Sequence, residues 1–288
     1  MHGNAGTTVA APEASASCEI RVDADTQIYV EQRGAGPDVM LVNNIFMDAA
    51  SWRHHTARLT GGCRVITYDL RGQSASTGDL AATWDTHVAD AAAVLDGVGA
   101  AEVVLVGTSL SALLCRDIAL AFPDRIRGLV LAGPALSPWG MRRHRAILRT
   151  WLRTLEDSGL PALYDQMYPL VSSDHAAERA GMPGFLGRKQ SFLGLNTPEW
   201  IRAGIAVSLT APADPALLAR IACPTLLVVG DDDFALGASA VDELVALFSD
   251  ARAIILPRAG HLPFIEEPER FQDEVAAFVA GITAGSRG

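Results

Sequence analysis

VVLVGTSLSALL, residues 103–114, decides the fold. Its first four residues are aliphatic and mostly β-branched, the composition of a short buried strand. Its last residues are Leu and Ala and open a helix. Gly107-Thr108-Ser109-Leu110-Ser111 stands at the joint. A serine on so sharp a strand-to-helix turn has strained dihedrals, so the residues two before and two after it must be small. Gly107 meets that demand. Ser111 stands where a second glycine is usual, and it adds a Cβ and a hydroxyl. The turn lifts the Ser109 hydroxyl above the sheet and aims the helix N-terminus at it. Ser109 is therefore a candidate nucleophile, set against the plainer role of a helix N-cap.

The rest of the chain repeats the strand-then-helix rhythm. Strands are expected at 18–22, 27–33, 39–42, 63–68, 103–106, 126–132, 225–229 and 253–256. Helices are expected near 50–59, 84–98, 110–122, 241–248 and 268–280. Such alternation predicts an α/β fold: a mostly parallel eight-stranded sheet flanked by helices, the first two strands forming an antiparallel pair. The rhythm breaks at 135–215. That stretch has no clear strand and is rich in Trp, Tyr, Phe, Met and Arg, as expected of a helical lid inserted after strand six. The expected organisation is a flexible leader over 1–17, a core over 18–134 and 216–288, and a lid over 135–215, folding as one unit.

Composition narrows the function. The 288 residues are 49% hydrophobic and carry a net charge of −10, which argues against nucleic-acid binding. The Ala/Ser/Thr-rich leader has no signal-peptide pattern, and no apolar run is long enough for a membrane span. A cytoplasmic protein is expected. The four cysteines, Cys18, Cys63, Cys115 and Cys223, form no C-x-x-C pair. Neither H-E-x-x-H nor a dinucleotide fingerprint occurs, so no metal or cofactor is expected.

A serine nucleophile needs a base, and the base needs a carboxylate. Of seven histidines only His261 follows a late strand, in PRAGHLPFIEEPERF (257–271). His54, His55 and His87 fall in helices of the core layer, and His144 and His175 in the lid. The loop after TLLVV reads Gly230-Asp231-Asp232-Asp233. Asp233 is placed to turn back toward His261, while Asp231 and Asp232 face solvent or form the turn. The segment after strand six, AGPALSPWG, holds no acid. Two backbone N–H donors must hold the oxyanion. By position these are Leu110 and Ile45, the latter after Asn43-Asn44.

Five segments together resemble the α/β-hydrolase superfamily: LVNNIFMDAASW (41–52), YDLRGQSAS (68–76), VGTSLSALL (106–114), PTLLVVGDDD (224–233) and AGHLPFIEEPERF (259–271). The first is similar to the corresponding loop of the 3-oxoadipate enol-lactonase group and of the acyltransferases that build the lipid part of rhamnolipids. The resemblance implies acyl chemistry through Ser109, Asp233 and His261. Departures cluster near the site: Asn43-Asn44 replaces His-Gly, Gln73 replaces the histidine of RGHG, and Ser111 replaces glycine.

Ester, lactone or thioester hydrolysis is the expected reaction. Acyl transfer or cyclisation in a biosynthetic pathway, or ligand binding without catalysis, are the alternatives. Asn43, Asn44, Trp139, Trp151, Met167 and Phe192 are the expected substrate contacts. Arg142, Arg145, Arg149 and Arg153 recur at helical spacing. They form either a solvated face or a dock for an acyl carrier protein, a coenzyme A ester or a substrate carboxylate.

Overall fold

The computed structural model describes residues 15–285. Eight strands form one sheet in the order β1-β2-β4-β3-β5-β6-β7-β8. They are β1 (Ser15–Arg21), β2 (Gln27–Arg33), β3 (Asp38–Val42), β4 (Arg64–Tyr68), β5 (Val103–Thr108), β6 (Ile126–Ala132), β7 (Thr225–Gly230) and β8 (Ala251–Leu256). β2 pairs antiparallel with β1 and β4, and the remaining pairs are parallel. The sheet is the one the sequence predicts.

Burial follows the two-residue period of the strands. In β5, Val103 and Leu105 enter the apolar core under α1 (Trp84–Gly97) and α2 (Ser111–Ala121). Val104 and Val106 enter the core on the opposite face, with Phe271 and Val275 of α8 (Pro268–Gly285). Both faces of β5 are covered, so its sequence reads as a continuous apolar run. Each such side chain contributes about 1.5–3 kcal/mol by burial.

Three local expectations change. The leader does not extend to residue 17: residues 1–14 lie outside the described residues, but Ser15 already pairs with Arg33 in a ladder that uses the whole of β2. The helix expected at 50–59 is a 3-10 helix, Ala50–His55. The Thr56 hydroxyl donates to the Trp52 carbonyl at 2.8 Å, and such side-chain bonds compete with helix continuation. The helix expected at 241–248 shortens to α6 (Val241–Val245).

Between β6 and β7 the chain is helical. It forms α3 (Arg142–Val171), α4 (Asp174–Leu195) and α5 (Pro198–Ser208). The first two are broken internally at Gly159 (φ 78°) and Gly181 (φ 56°), each followed two residues later by a proline. Glycine accepts the left-handed backbone, and proline suits the first turn of the resumed helix. A short α7 (Pro263–Glu266) follows β8. Among the described residues, no helix is long and apolar enough to cross a membrane.

Candidate active site

Four parallel strands, β3, β5, β7 and β8, deliver the site from their carboxyl ends, where ligands of open α/β sheets bind. Ser109 caps β5 with φ 53°, in the left-handed region that a non-glycine residue rarely occupies. Its surroundings fix that conformation. Ser109 N–H donates to the Ala132 carbonyl at 3.0 Å, and its own carbonyl accepts from Ala135 N–H at 3.1 Å. A Cβ on Gly107 would lie 2.7 Å from Cys115 Sγ and 2.8 Å from the Ser111 carbonyl, so only glycine fits there. Ser111, by contrast, is employed. Its hydroxyl accepts the Thr108 N–H at 2.8 Å and donates to the Thr108 carbonyl at 2.9 Å. The residue that departs from the usual glycine thus braces the turn.

His261 Nε2 lies 2.7 Å from Ser109 Oγ, and Nδ1 lies 2.9 Å from Asp233 Oδ1. The same Oδ1 accepts the Ala235 N–H at 2.8 Å. It is therefore an acceptor, Nδ1–H donates to it, and Nε2 is left to accept the Ser109 hydroxyl proton. Asp233 and His261 are both buried. Two glycines permit the approach of their loops. A Cβ on Gly230 would meet the Ala259 carbonyl at 2.1 Å, and one on Gly133 the His261 carbonyl at 2.0 Å. The neighbouring acids are used differently: Asp231 is exposed, and Asp232 accepts the Asp174 N–H at 3.0 Å.

The N–H groups of Ile45 and Leu110 have no hydrogen-bond partner among the described residues. The next donor along is occupied, because Asn44 Oδ1 accepts the Phe46 N–H at 2.8 Å. Asn44 Nδ2 also donates to Thr108 Oγ1 at 3.1 Å, tying the β3 loop to the β5 turn. Gly204 of α5 lies against Ile45, leaving no room for a Cβ. Gln73 is buried and accepts the Leu70 N–H at 3.1 Å, closing its own turn.

An apolar cavity of about 260 Å³ opens over Ser109 and His261. Asn44, Trp151, Met167 and Phe192, four of the six expected contacts, line it. The other two do not. Trp139 is 70% exposed, and its indole N–H donates to Glu243 at 3.0 Å. It lies in the turn before α3, on the outer surface. Asn43 lies in the wall of a smaller cavity of about 40 Å³, where its Oδ1 accepts the buried Trp52 indole at 2.8 Å. The cavity also recruits Phe46, His55, Tyr164, Tyr168, Arg188 and Phe264. His55, placed in the core layer by its helix, reaches the cavity because the 3-10 turn sets its ring edge-on to Phe264 at 5.4 Å.

Nearby groups are perturbed by burial. His144 in the first turn of α3 is lowered to about 4 by burial, with further lowering by His261 and Arg143. Burial pushes the Tyr164 phenol up to about 12, Arg188 acting the other way. Asp69 is raised to about 6 by burial, although the N–H groups of Ala49 and Ala75 oppose this. The arginine stripe divides: Arg142, Arg149 and Arg153 are exposed, while Arg145 donates to the Ala211 carbonyl at 2.8 Å.

The model of the alpha/beta hydrolase family matches residues 34–274, and the chain belongs to this family of enzymes. A pimeloyl-[acyl-carrier protein] methyl ester esterase of Nitrosomonas europaea is 27% identical over 255 residues, covering 85% of this chain and 96% of the relative. A thermophilic esterase from Thermogutta terrifontis superposes with a TM-score of 0.81 at 23% identity, over 93% of this chain and 99% of the other. The enol-lactonase from Burkholderia xenovorans gives 0.76 at 23% identity, over 88% and 97%. These two structures share the fold.

Proposed function

We propose that this protein hydrolyses a carboxylic ester, thioester or lactone through an acyl-Ser109 intermediate. The observation that carries the reading is the continuous chain Ser109–His261–Asp233, at 2.7 and 2.9 Å, on a serine held at positive φ. His261 Nε2 takes the Ser109 proton as Oγ bonds to the carbonyl carbon. The oxyanion forms against the Ile45 and Leu110 N–H groups, which no other group among the described residues occupies. Collapse breaks the bond to the leaving alcohol or thiol, which receives the proton from His261. Water then loses a proton to His261 and attacks the acyl-serine, releasing the acid and restoring Ser109. Asp233 holds the imidazole in the productive tautomer and stabilises its charged form.

The cavity sets the scale of the acyl group. Its 260 Å³ lies just under the roughly 300–1,000 Å³ of ordinary small-molecule sites, so a compact acyl chain or ring fits. A larger carrier would stay outside; the Nitrosomonas relative is named for an ester that is attached to an acyl carrier protein. An acyl carrier protein or coenzyme A ester is accordingly the proposed macromolecular or large partner, met by the exposed Arg142, Arg149 and Arg153. The test of the reaction is hydrolysis of small activated esters by wild type and Ser109→Ala. Turnover should fall by several orders of magnitude in the variant, with the fold retained by circular dichroism. Substantial residual turnover would remove Ser109 from its role.

A further inference from the structure

An unpaired guanidinium faces the cavity. Arg188 of α4 lines the same largely apolar cavity as Ser109 and His261, with Tyr164, Tyr168 and Ser191. Among the described residues, no carboxylate lies within ion-pair distance of it. Among the described residues its hydrogen-bond and ring contacts are with Tyr168: Nη2 donates to the hydroxyl at 3.4 Å, a long bond, and the guanidinium sits 5.5 Å from the ring centroid. The next residue, Lys189, is by contrast ion-paired with Asp165. The Tyr164 hydroxyl is likewise without a hydrogen bond among the described residues, and its phenol stays protonated as a donor. Ser191 spends its hydroxyl proton on the Gly187 carbonyl at 3.1 Å, which leaves its oxygen as an acceptor.

Half-buried arginines are ordinarily paired, because removing a charge from water without a counter-ion is costly. A planar fork flanked by two phenols matches a carboxylate, which accepts two parallel N–H bonds. A phosphate dianion would call for more than one cation. The single acid in the lining does not compete. Glu266 oxygens accept the Ser173 hydroxyl at 2.7 Å and the Gly260 N–H at 2.9 Å, on the histidine side of the cavity.

We infer that the acyl group carries an anionic tip, so that the substrate is the monoester or monothioester of a short dicarboxylic acid, its free carboxylate seated on Arg188. This rests on the acyl-Ser109 reading and deepens it. Ester cleavage needs nothing from Arg188; selection of the acyl chain does.

The test compares two series of nitrophenyl esters with equal chain lengths, one ending in methyl and the other in carboxylate. Wild type should favour a carboxylate-ended ester at one chain length by about tenfold or more in kcat/KM, the scale of a charged hydrogen bond. In Arg188→Gln the anionic-to-neutral ratio should drop at least tenfold through KM, and Arg188→Lys should recover part of it. Lys189→Gln, which removes a neighbouring charge outside the cavity, should leave the ratio as it is. Inhibition by free aliphatic carboxylates against their primary amides gives a second readout in wild type alone. Neutral esters turned over with no preference for carboxylate at any length, or a ratio unmoved by Arg188→Gln, would overturn the inference. If neither series reacts and a fluorophosphonate fails to label Ser109, the hydrolase reading itself has failed and takes this one with it.

Discussion

The β5–α2 corner and the α3–α5 insertion meet at one cavity but are built by opposite rules. At the corner, backbone sterics leave almost no choice: Ser109 sits at φ 53°, Gly107 has no space for a Cβ, and Ser111 uses its hydroxyl on Thr108. In the insertion, many residues could be exchanged without a clash. Gly187 and Gly194 of α4 have open space around them, and Ala176 is the one buried residue of α4. In the proposed function, the corner fixes the chemistry and the insertion shapes what that chemistry is offered.

The sharpest break in that contrast comes from the acids beyond β7. Asp233→Asn should lower kcat by about 10⁴-fold, because an amide there favours the wrong imidazole tautomer. Asp231→Asn and Asp232→Asn should change kcat little, since neither carboxylate touches His261. Steady-state kinetics on all three decide it. Equal losses at Asp232 and Asp233 would move the acid.

Two glycine substitutions compare the regions directly. Gly107→Ala forces a Cβ to 2.7–2.8 Å from Cys115 Sγ and the Ser111 carbonyl, and should cost about 3 kcal/mol. Gly187→Ala in the insertion should instead stabilise by about 0.5–1 kcal/mol, the helix propensity gain. Urea melts of both variants measure this. A well-tolerated Gly107→Ala would mean that the corner is looser than its geometry.

This difference also explains what could be read from the sequence. The parallel sheet, the meeting of Ser109, Asp233 and His261, and the positions of the two N–H groups without a partner among the described residues are legible because each is set by a short local rule: strand period, small residues at a turn, a loop after a late strand. The cavity wall was only partly legible. Trp139 and Trp151 look alike in a sequence, yet one faces Glu243 outside and the other lines the cavity. Trp139 lies in the turn before α3, and where the rings further along point depends on how α3 and α4 bend. The signals for those bends were present, as Gly159-Leu160-Pro161 and Gly181-Met182-Pro183, but their meaning depends on the tertiary packing. Arg188 does not stand out in the sequence beside the more regular arginine stripe of α3.

His144 couples the two regions, rising from the insertion toward Asp233 and His261. Its depressed value, about 4 against 6.5 unfolded, contributes stability above pH 6.5 that is lost as pH falls toward 4. Asp69, raised to about 6, works oppositely: its contribution is full below about 4 and lost as pH rises through 6. The variant His144→Leu isolates the first. Between pH 7 and 5, wild type should lose about 2 kcal/mol relative to the variant. Parallel stability curves for the two proteins would show that His144 is not held neutral by burial.

The smallest effect belongs to the outer face of α3. Charge reversal at Arg149 and Arg153 should lower kcat/KM a few-fold for a carrier-protein or coenzyme A ester at low salt, and vanish at high salt. A small neutral ester should be unaffected. Arg145 is excluded from this test because it holds the Ala211 carbonyl. Equal effects on both substrates would return the arginines to a solvated helix face.

The proposed reaction requires that Ser109 become covalently acylated. Intact-mass measurement during brief incubation with an activated nitrophenyl ester addresses it directly, with peptide mapping of the adduct. Ser109 should gain one acyl group that decays as acid appears, and Ser109→Ala should gain none. Turnover without any adduct in the presteady state, or an adduct that maps to another residue and persists in Ser109→Ala, would contradict it.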